Sequence, residues 1–594
     1  MHILGISCYF HDAAAALLRD GVLLAAAEEE RFSRVKHDFG FPARAIRFCL
    51  EQGGVCASEV DYVAFFEKPF VKLERILQTA LATAPRSATV FRSAMTAWLL
   101  DKLWVKNRIT KTLGIPPDRV LFCEHHQSHA ASAFFCSPFE QSAVLTVDGV
   151  GEWTTTALGR GSGNQVHLTH EIRFPHSLGL LYSAFTAFLG FEVNEGEYKV
   201  MGMAPYGRPR YLDEVWRLVR LSPDGSFALN LDYFSFHHSA TRAYSDRFLD
   251  LFGPPRRPEV PFFTAQTEFP SYYGARPTDY DAIAEENQRY ADIAASIQAV
   301  TEEILLAMAR SACERAGSKK LCLAGGVALN SVANGRILRE TGIEDLFVQP
   351  AAGDGGAALG AALYAWHAIL GQPRHFVMEH AYWGQTAGQD AIRQTVAESR
   401  LPFEECEEES ELIDRTVDLL SRGKVVGWTQ GAFEFGPRAL GNRSILADPR
   451  AQSMKDTVNV KIKFREPYRP FAPSVPVERA AEYFELADPA RHLPGRFMLL
   501  VAPVKDSARS RIPAVTHVDG SARLQTVPAA TNPRYHRLIE RFGEATGVPV
   551  LLNTSFNLRG EPIVNTPAEA MSTFRRSGMD ALVLDRTIVR KEQE

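Results

Sequence analysis

The chain has 594 residues, of which 46% are hydrophobic and 23% charged, and its formal net charge is −5. That balance belongs to a folded globular protein with room for roughly two to four domains. It excludes a disordered polyelectrolyte, and its acidic sign gives no general attraction to nucleic acid or to an anionic membrane.

The first elements follow one another closely. "ILGISCY" (3–9) reads as a strand, Phe10-His11-Asp12 as a tight polar loop and "AAAALL" (13–18) as a second strand. Asp20-Gly21 is a two-residue hairpin signal, and "VLLAAAEEERFS" continues as a third strand. Pro42 opens the amphipathic helix "PARAIRFCLEQGG", since proline suits a helix's first turn. Further on, "EHHQSHAASAFF" places His125 and His129 at i and i+4 in an alanine-rich helical stretch. Such residues share a helix face, so two neutral imidazoles there can meet one metal ion. The residue after His125 is His126, so the HExxH signature of metalloproteases is absent.

The opening pattern then returns. "AVLTVD" (143–148) is a strand, "GVGEW" its loop, "TTTALG" the next strand, "RGSGN" a turn and "VHLTHEIRF" the third strand, before the helical "SLGLLYSAFTAFLGF". Two such copies predict a duplicated α/β domain. Two strand–glycine-loop–helix junctions follow, "LCLAGGVALNSVANGRIL" and "DLFVQPAAGDGGAALGAALYAW". Glycine lets a backbone approach phosphate closely, and the amides at a helix start favour anions. The four loops together suit an ATP cleft, with Gly149, Gly325, Gly326, Gly355 and Asn330 as candidate nucleotide contacts. Asp148 and Asp354, in the same loops, are the candidates for completing a metal site with the two histidines. That nitrogen and oxygen set suits iron, manganese or zinc. Residues 208 to about 285, rich in proline and aromatics, read as an insertion that caps the cleft.

After about Gln372 the chain changes character. "GPRALGNRSILADPR" carries Arg438 and Arg443 on a glycine-rich loop; Lys461, Lys463, Arg465 and Arg469 follow in "KIKFREPYR", then Arg523, then Asn553 and Ser555 in "LLNTSFN". Guanidinium forks beside strand ends, with Ser and Asn donors, suit a small dianion. The alternation in "TVNVKIKFRE" favours a strand.

These motifs, with "EGEYKVMGMAPYG", resemble the NodU/CmcH-type O-carbamoyltransferase family over nearly the whole chain. The resemblance implies an N-terminal actin/Hsp70-like (ASKHA, TsaD-like) domain over 1–372 and a YrdC-like α/β domain over 373–594. It implies iron(II), or another divalent transition metal, on His125, His129, Asp148 and Asp354. It also implies ATP with Mg2+, a contact of Lys36 with the nucleotide phosphates, and carbamoyl phosphate on Arg438, Lys463, Arg469, Arg523, Asn553 and Ser555. The expected reaction cleaves carbamoyl phosphate to carbamate, adenylates it with ATP and passes the carbamoyl group to a small-molecule hydroxyl. Carbamate is unstable in water, so an enclosed route is required. His11, beside Asp12, is the candidate base, since an imidazole of ordinary pKa suits neutral pH. A tRNA threonylcarbamoylation-type enzyme and an ASKHA-type kinase stay open as rivals.

Eight scattered cysteines form no CxxC pair, the N-terminus has no secretory pattern, and no apolar run approaches a membrane span. A cytoplasmic protein with no nucleic-acid partner is expected, of open oligomeric state.

Overall fold

The first sheet forms where small and aliphatic residues run unbroken. β1 (His2–Ser7) pairs antiparallel with β2 (Ala14–Arg19), and β3 (Val22–Glu28) lies beyond β2. β4 (Tyr62–Phe65) and β5 (Val120–Phe122) extend the sheet in parallel on the other side of β1. β1 and β2 are buried almost throughout, and strands covered on both faces read as continuous apolar runs. The computed structural model describes residues 1–591 apart from residues 101, 259, 266, 268, 271–272 and 464–465.

The second sheet repeats the first. β6 (Gln141–Val147), β7 (Thr154–Ser162) and β8 (Gln165–Arg173) form an antiparallel meander, and Lys320–Ala324 and Asp345–Val348 join β6 in parallel. Both sheets thus run third–second–first–fourth–fifth, and the repeat seen in the sequence is a repeat of connectivity. Helix Asp354–Tyr364 packs on β1, β2 and helix His125–Phe134. The two helices approach to backbone contact: a Cβ on Gly360 would lie 1.9 Å from the Ser128 carbonyl oxygen.

Between residue 208 and the long helix that begins at Tyr280, only short elements form among the described residues, notably the hairpin Val219–Leu221/Phe227–Leu229 and the helix Asp246–Phe252. Phe248 and Phe252 pack there against Phe185 and Phe188 of helix Leu178–Phe188.

The chain divides into two compact units, one of residues 1–25 and 39–377, the other of residues 26–38 and 378 onward. The second unit is built on a nine-stranded mixed sheet. Its order is Phe403–Glu405, Thr587–Arg590, Ala581–Leu584, Val426–Thr429, Arg443–Ala447, Leu551–Ser555, Ala472–Pro476, Ser521–Val527, Leu500–Pro503. Trp428, Tyr535 and Phe542 are fully buried at its core.

Two local expectations are corrected. The third strand stops at Glu28, and Glu30–Ser33 turns into a short helix, where Arg31 buries beside Glu28 instead of continuing the alternation. "TVNVKIK" is helical, as Met454–Val458 running into Asn459–Lys463. Its apolar alternation misleads because Val460 is exposed while Asn459 and Lys463 are buried. Arg465 lies outside the described residues.

Gly360→Ala is expected to destabilise the first unit by about 1–3 kcal/mol through overpacking and to weaken metal retention. Calorimetric unfolding together with metal analysis checks this; an unchanged midpoint would show that the helix crossing has slack.

Candidate active site

Four buried side chains converge in the first unit. His125 and His129 turn their Nε2 atoms toward each other, 3.1 Å apart. Asp148 Oδ2 lies 3.1 Å from His125 Nε2 and 3.8 Å from His129 Nε2; Asp354 Oδ1 lies 3.5 and 3.4 Å from the same atoms. Ligands held at about 2.1 Å by a first-row dication sit roughly 3.0–3.4 Å from one another, close to this spacing. Electrostatics points the same way. Burial alone would raise the Asp148 carboxyl, but its bonds to His125 and His129 hold it well below the usual range. Burial alone would lower His129, but Asp148 and Asp354 raise it to about 9. The cluster draws in positive charge, and a dication supplies it. Asp354 Oδ2 is buried without a hydrogen-bond partner. The residues fit a divalent transition metal.

Local structure explains each position. Asp148 follows the last residue of β6, and its Oδ1 accepts the Gly326 N–H at 2.9 Å. Asp354 opens its helix. The His125 N–H, at its helix start, is accepted by both oxygens of Glu152 at 3.1 Å, and Glu152 also accepts the Lys68 N–H at 2.8 Å. Glu152 is itself buried, which pushes its pKa up. A carboxylate at a helix N-terminus is well placed. Here it anchors the backbone of His125 at the helix start.

His11 sits in the β1–β2 loop, its Nδ1 3.2 Å from Asp12 Oδ2. Tyr9 and Asp12 on either side take positive φ of 74° and 48°, an uncommon conformation outside glycine. The imidazole is not the ordinary one expected. Burial lowers its pKa, but the bond to Asp12 and the charges of Asp12, Asp354 and Asp148 outweigh this and raise it to about 9.

The glycine loops are partly committed to the fold. The Gly326 amide serves Asp148 and the Gly325 amide the Ala352 carbonyl, at 2.9 Å each. The Gly149 carbonyl accepts from Ser177 Oγ at 2.7 Å, and Gly355 is buried in the first turn of its helix. The Asn330 side chain accepts the Ala333 N–H at 3.2 Å, capping Ser331–Glu340, and bonds with Gln298. Lys36 belongs to the second unit.

In that unit, two of the expected anion-binding residues meet directly. The Lys463 ammonium donates to Ser555 Oγ at 3.3 Å and to Asn557 Oδ1 at 2.9 Å. Asn553 Nδ2 donates to Gln525 Oε1 at 2.9 Å, Ser474 Oγ at 3.2 Å and the carbonyl of Ala439, next to Arg438, at 3.3 Å. Strand alternation puts Arg523 on the same face as Gln525. Arg438 and Arg523 are partly exposed, and Arg469 lies 3.5 Å from Glu466. Arg443 differs from its loop neighbour Arg438. It is buried, its pKa pushed down by burial to about 10, and its guanidinium donates to the carbonyls of Gln430, Asn442, Gln385 and Asn565. It holds the fold.

Residues 2–363 match the family model for the carbamoyltransferase N-terminus and residues 417–591 that for the carbamoyltransferase C-terminus. The chain belongs to the carbamoyltransferase family. It is 47% identical to the uncharacterized protein sll1178 of Synechocystis sp., over 99% of this chain and 97% of that one. It is 40% identical to nodulation protein NolNO of Sinorhizobium fredii, over 98% and 79%. It is 36% identical to the 3'-hydroxymethylcephem-O-carbamoyltransferase of Amycolatopsis lactamdurans, over 45% and 48%. This carbamoyltransferase uses ATP and carbamoyl phosphate and acts on a small-molecule hydroxyl.

The sequence reading missed several residues of these sites: Glu152, Gln525, Ser474 and Asn557. Asn557 closes the quoted "LLNTSFN" and Glu152 lies in the quoted "GVGEW"; Gln525 and Ser474 carry no local signal. In the carbamoyltransferase, Glu152→Ala, which removes the acceptor that anchors the His125 backbone, is expected to lower metal affinity about tenfold, the worth of one charge-assisted hydrogen bond. Titration against a competing chelator measures it, and unchanged affinity would detach Glu152 from the metal helix.

Proposed function

We propose that the enzyme works in two stages. In the second unit, read as YrdC-like, water hydrolyses carbamoyl phosphate to carbamate and phosphate. A carbamate oxygen then attacks the α-phosphorus of ATP; pyrophosphate leaves and carbamoyl adenylate remains. In the first unit, read as ASKHA-type and TsaD-like, the acceptor hydroxyl attacks the carbamoyl carbon, giving the O-carbamoyl product and AMP. The observation that carries this reading is the buried cluster of His125, His129, Asp148 and Asp354, drawn from the helix His125–Phe134, the end of β6 and the head of the helix Asp354–Tyr364.

We assign iron(II) to these four residues and MgATP to the adjoining loops. When bound, the metal supplies a Lewis acid and template for phosphate oxygens. Arg438, Lys463, Arg469 and Arg523 offset the charge of carbamoyl phosphate, with Asn553 and Ser555 as neutral partners. His11 takes the proton from the acceptor hydroxyl, and Asp12 steadies the imidazolium that forms. The acceptor is a natural product, sugar or toxin hydroxyl, a class that includes the cephem named for one relative.

A cytoplasmic location is consistent with eight free cysteines. No helix among the described residues is long and apolar enough to cross a membrane.

The deciding experiment supplies iron(II), MgATP and labelled carbamoyl phosphate without acceptor and follows phosphate, pyrophosphate and AMP. Pyrophosphate that depends on carbamoyl phosphate is expected; ADP in its place would overturn the adenylate route. His11→Ala is expected to keep pyrophosphate formation and abolish transfer to an acceptor. Loss of both steps would remove the base assignment.

The pH dependence has a definite sign. A base must start neutral, and although burial lowers the pKa of His11, the bond to Asp12 favours its imidazolium and raises it. The transfer rate is therefore expected to climb with pH above 7, and Asp12→Asn to move the climb to lower pH. An identical profile in wild type and variant would separate Asp12 from the proton transfer.

A further inference from the structure

Residues 26–38 belong to the second unit although residues on both sides of them belong to the first. The side chains of this short segment bind the second unit at two places. Glu28 and Arg31 are both buried, with Arg31 Nε 3.5 Å from Glu28 Oε2. Together they hold one residue. The Gly436 N–H donates to Glu28 Oε1 at 2.7 Å, and Arg31 Nη2 donates to the Gly436 carbonyl at 2.6 Å. Gly436 has a φ of 120°, a conformation open in practice to glycine alone. Phe433, three residues earlier, lies under the Arg31 guanidinium at 5.8 Å.

Gly436 stands two residues before Arg438, and the far side of that loop is equally fixed. Glu434 Oε1 accepts the N–H groups of Leu440, Asn442 and Arg443 at 2.7, 2.8 and 3.2 Å. The Leu440 carbonyl accepts from Gln525 Nε2 at 2.8 Å. The second contact of the segment is Arg34, whose guanidinium donates to the carbonyls of Ile563 and Pro562 at 2.7 and 2.8 Å. These close the loop that begins at Asn557, the partner of Lys463; Asn557 Nδ2 donates to the Glu561 carbonyl at 2.6 Å.

We propose that residues 26–38 form a strap that sets the carbamoyl phosphate pocket, with Glu28 and Arg31 as positioning residues for Arg438 and Arg34 as a positioning residue for the Lys463–Asn557 side. This rests on the assignment of Arg438 and Lys463 to carbamoyl phosphate. The strap residues do not touch the substrate. They act through backbone groups of the loops that carry the touching residues, so their removal alters capture of carbamoyl phosphate while leaving ATP capture unchanged.

The test uses the full-length enzyme in the acceptor-free pyrophosphate assay. A Glu28→Met, Arg31→Met double variant removes both charges together, which avoids stranding one buried ion. The KM for carbamoyl phosphate is expected to rise about tenfold or more, the effect of releasing two hydrogen bonds from a loop, with KM for ATP unchanged. Arg31→Lys, which can still donate to the Gly436 carbonyl, is expected to recover part of the loss. Gly436→Ala disturbs the same loop with the ion pair intact and is expected to reproduce the selective KM change, which covers the case in which the double variant does not fold. An unchanged KM for carbamoyl phosphate, or a fall in kcat with both KM values constant, overturns the strap. Arg438→Met separates the two levels of the inference. If it leaves the carbamoyl phosphate KM unchanged, the pocket assignment fails and the strap with it. If it raises that KM while the strap variants do not, only the strap fails.

Discussion

Two carboxylates and two imidazoles buried within hydrogen-bond distance of one another are the constraint on which the first unit depends. Asp148 and Asp354 cannot share so small a volume as bare charges, because a low-dielectric interior magnifies their repulsion. The histidines relieve part of it, as the raised pKa of His129 records. The rest of the unit keeps this arrangement in place. One carboxylate comes at the end of β6, the other at the head of a helix, and both imidazoles from a second helix that touches the first at Gly360. The duplicated sheet thus delivers the four ligands from elements whose spacing is set by backbone contact.

The second unit has the opposite charge problem. Two of its buried cations are held by neutral oxygen. Arg443 is surrounded by carbonyls, and Lys463 by Ser555 and Asn557. Polar side chains on neighbouring strands, Ser474, Gln525 and Asn553, form a connected network in which the amide donors find acceptors. Asn553 Oδ1 stays buried there without a hydrogen-bond partner.

Much of this was legible in the sequence because it depends on local pattern. The two meanders, the Asp20-Gly21 turn, the i, i+4 histidines and the glycine junctions each occupy a short window in which periodicity and turn chemistry speak clearly. What was not legible depends on distant pairing. Arg31 reads as one more charge in "EEERFS", and only the fold shows it bonded to Gly436, 405 residues away. "TVNVKIK" reads as a strand because alternation assumes apolar means buried; Lys463 is buried for its hydrogen bonds and Val460 is not buried at all. Likewise, His11 stands beside Asp12 in the sequence, but its raised pKa also draws on Asp354 and Asp148, which only tertiary structure brings near.

The interleaving of the two units has a consequence for how the protein is made. On a ribosome, Arg31 emerges 405 residues before Gly436, a wait of roughly 20–80 s at ordinary elongation rates. Throughout that interval the first unit is folding around a segment whose binding place does not yet exist. An apolar segment left open so long would invite misassociation. Glu28, Glu29, Glu30, Arg31 and Arg34 keep this one hydrated until its partner arrives, and the second unit is complete only when the nascent chain has brought both of its pieces together.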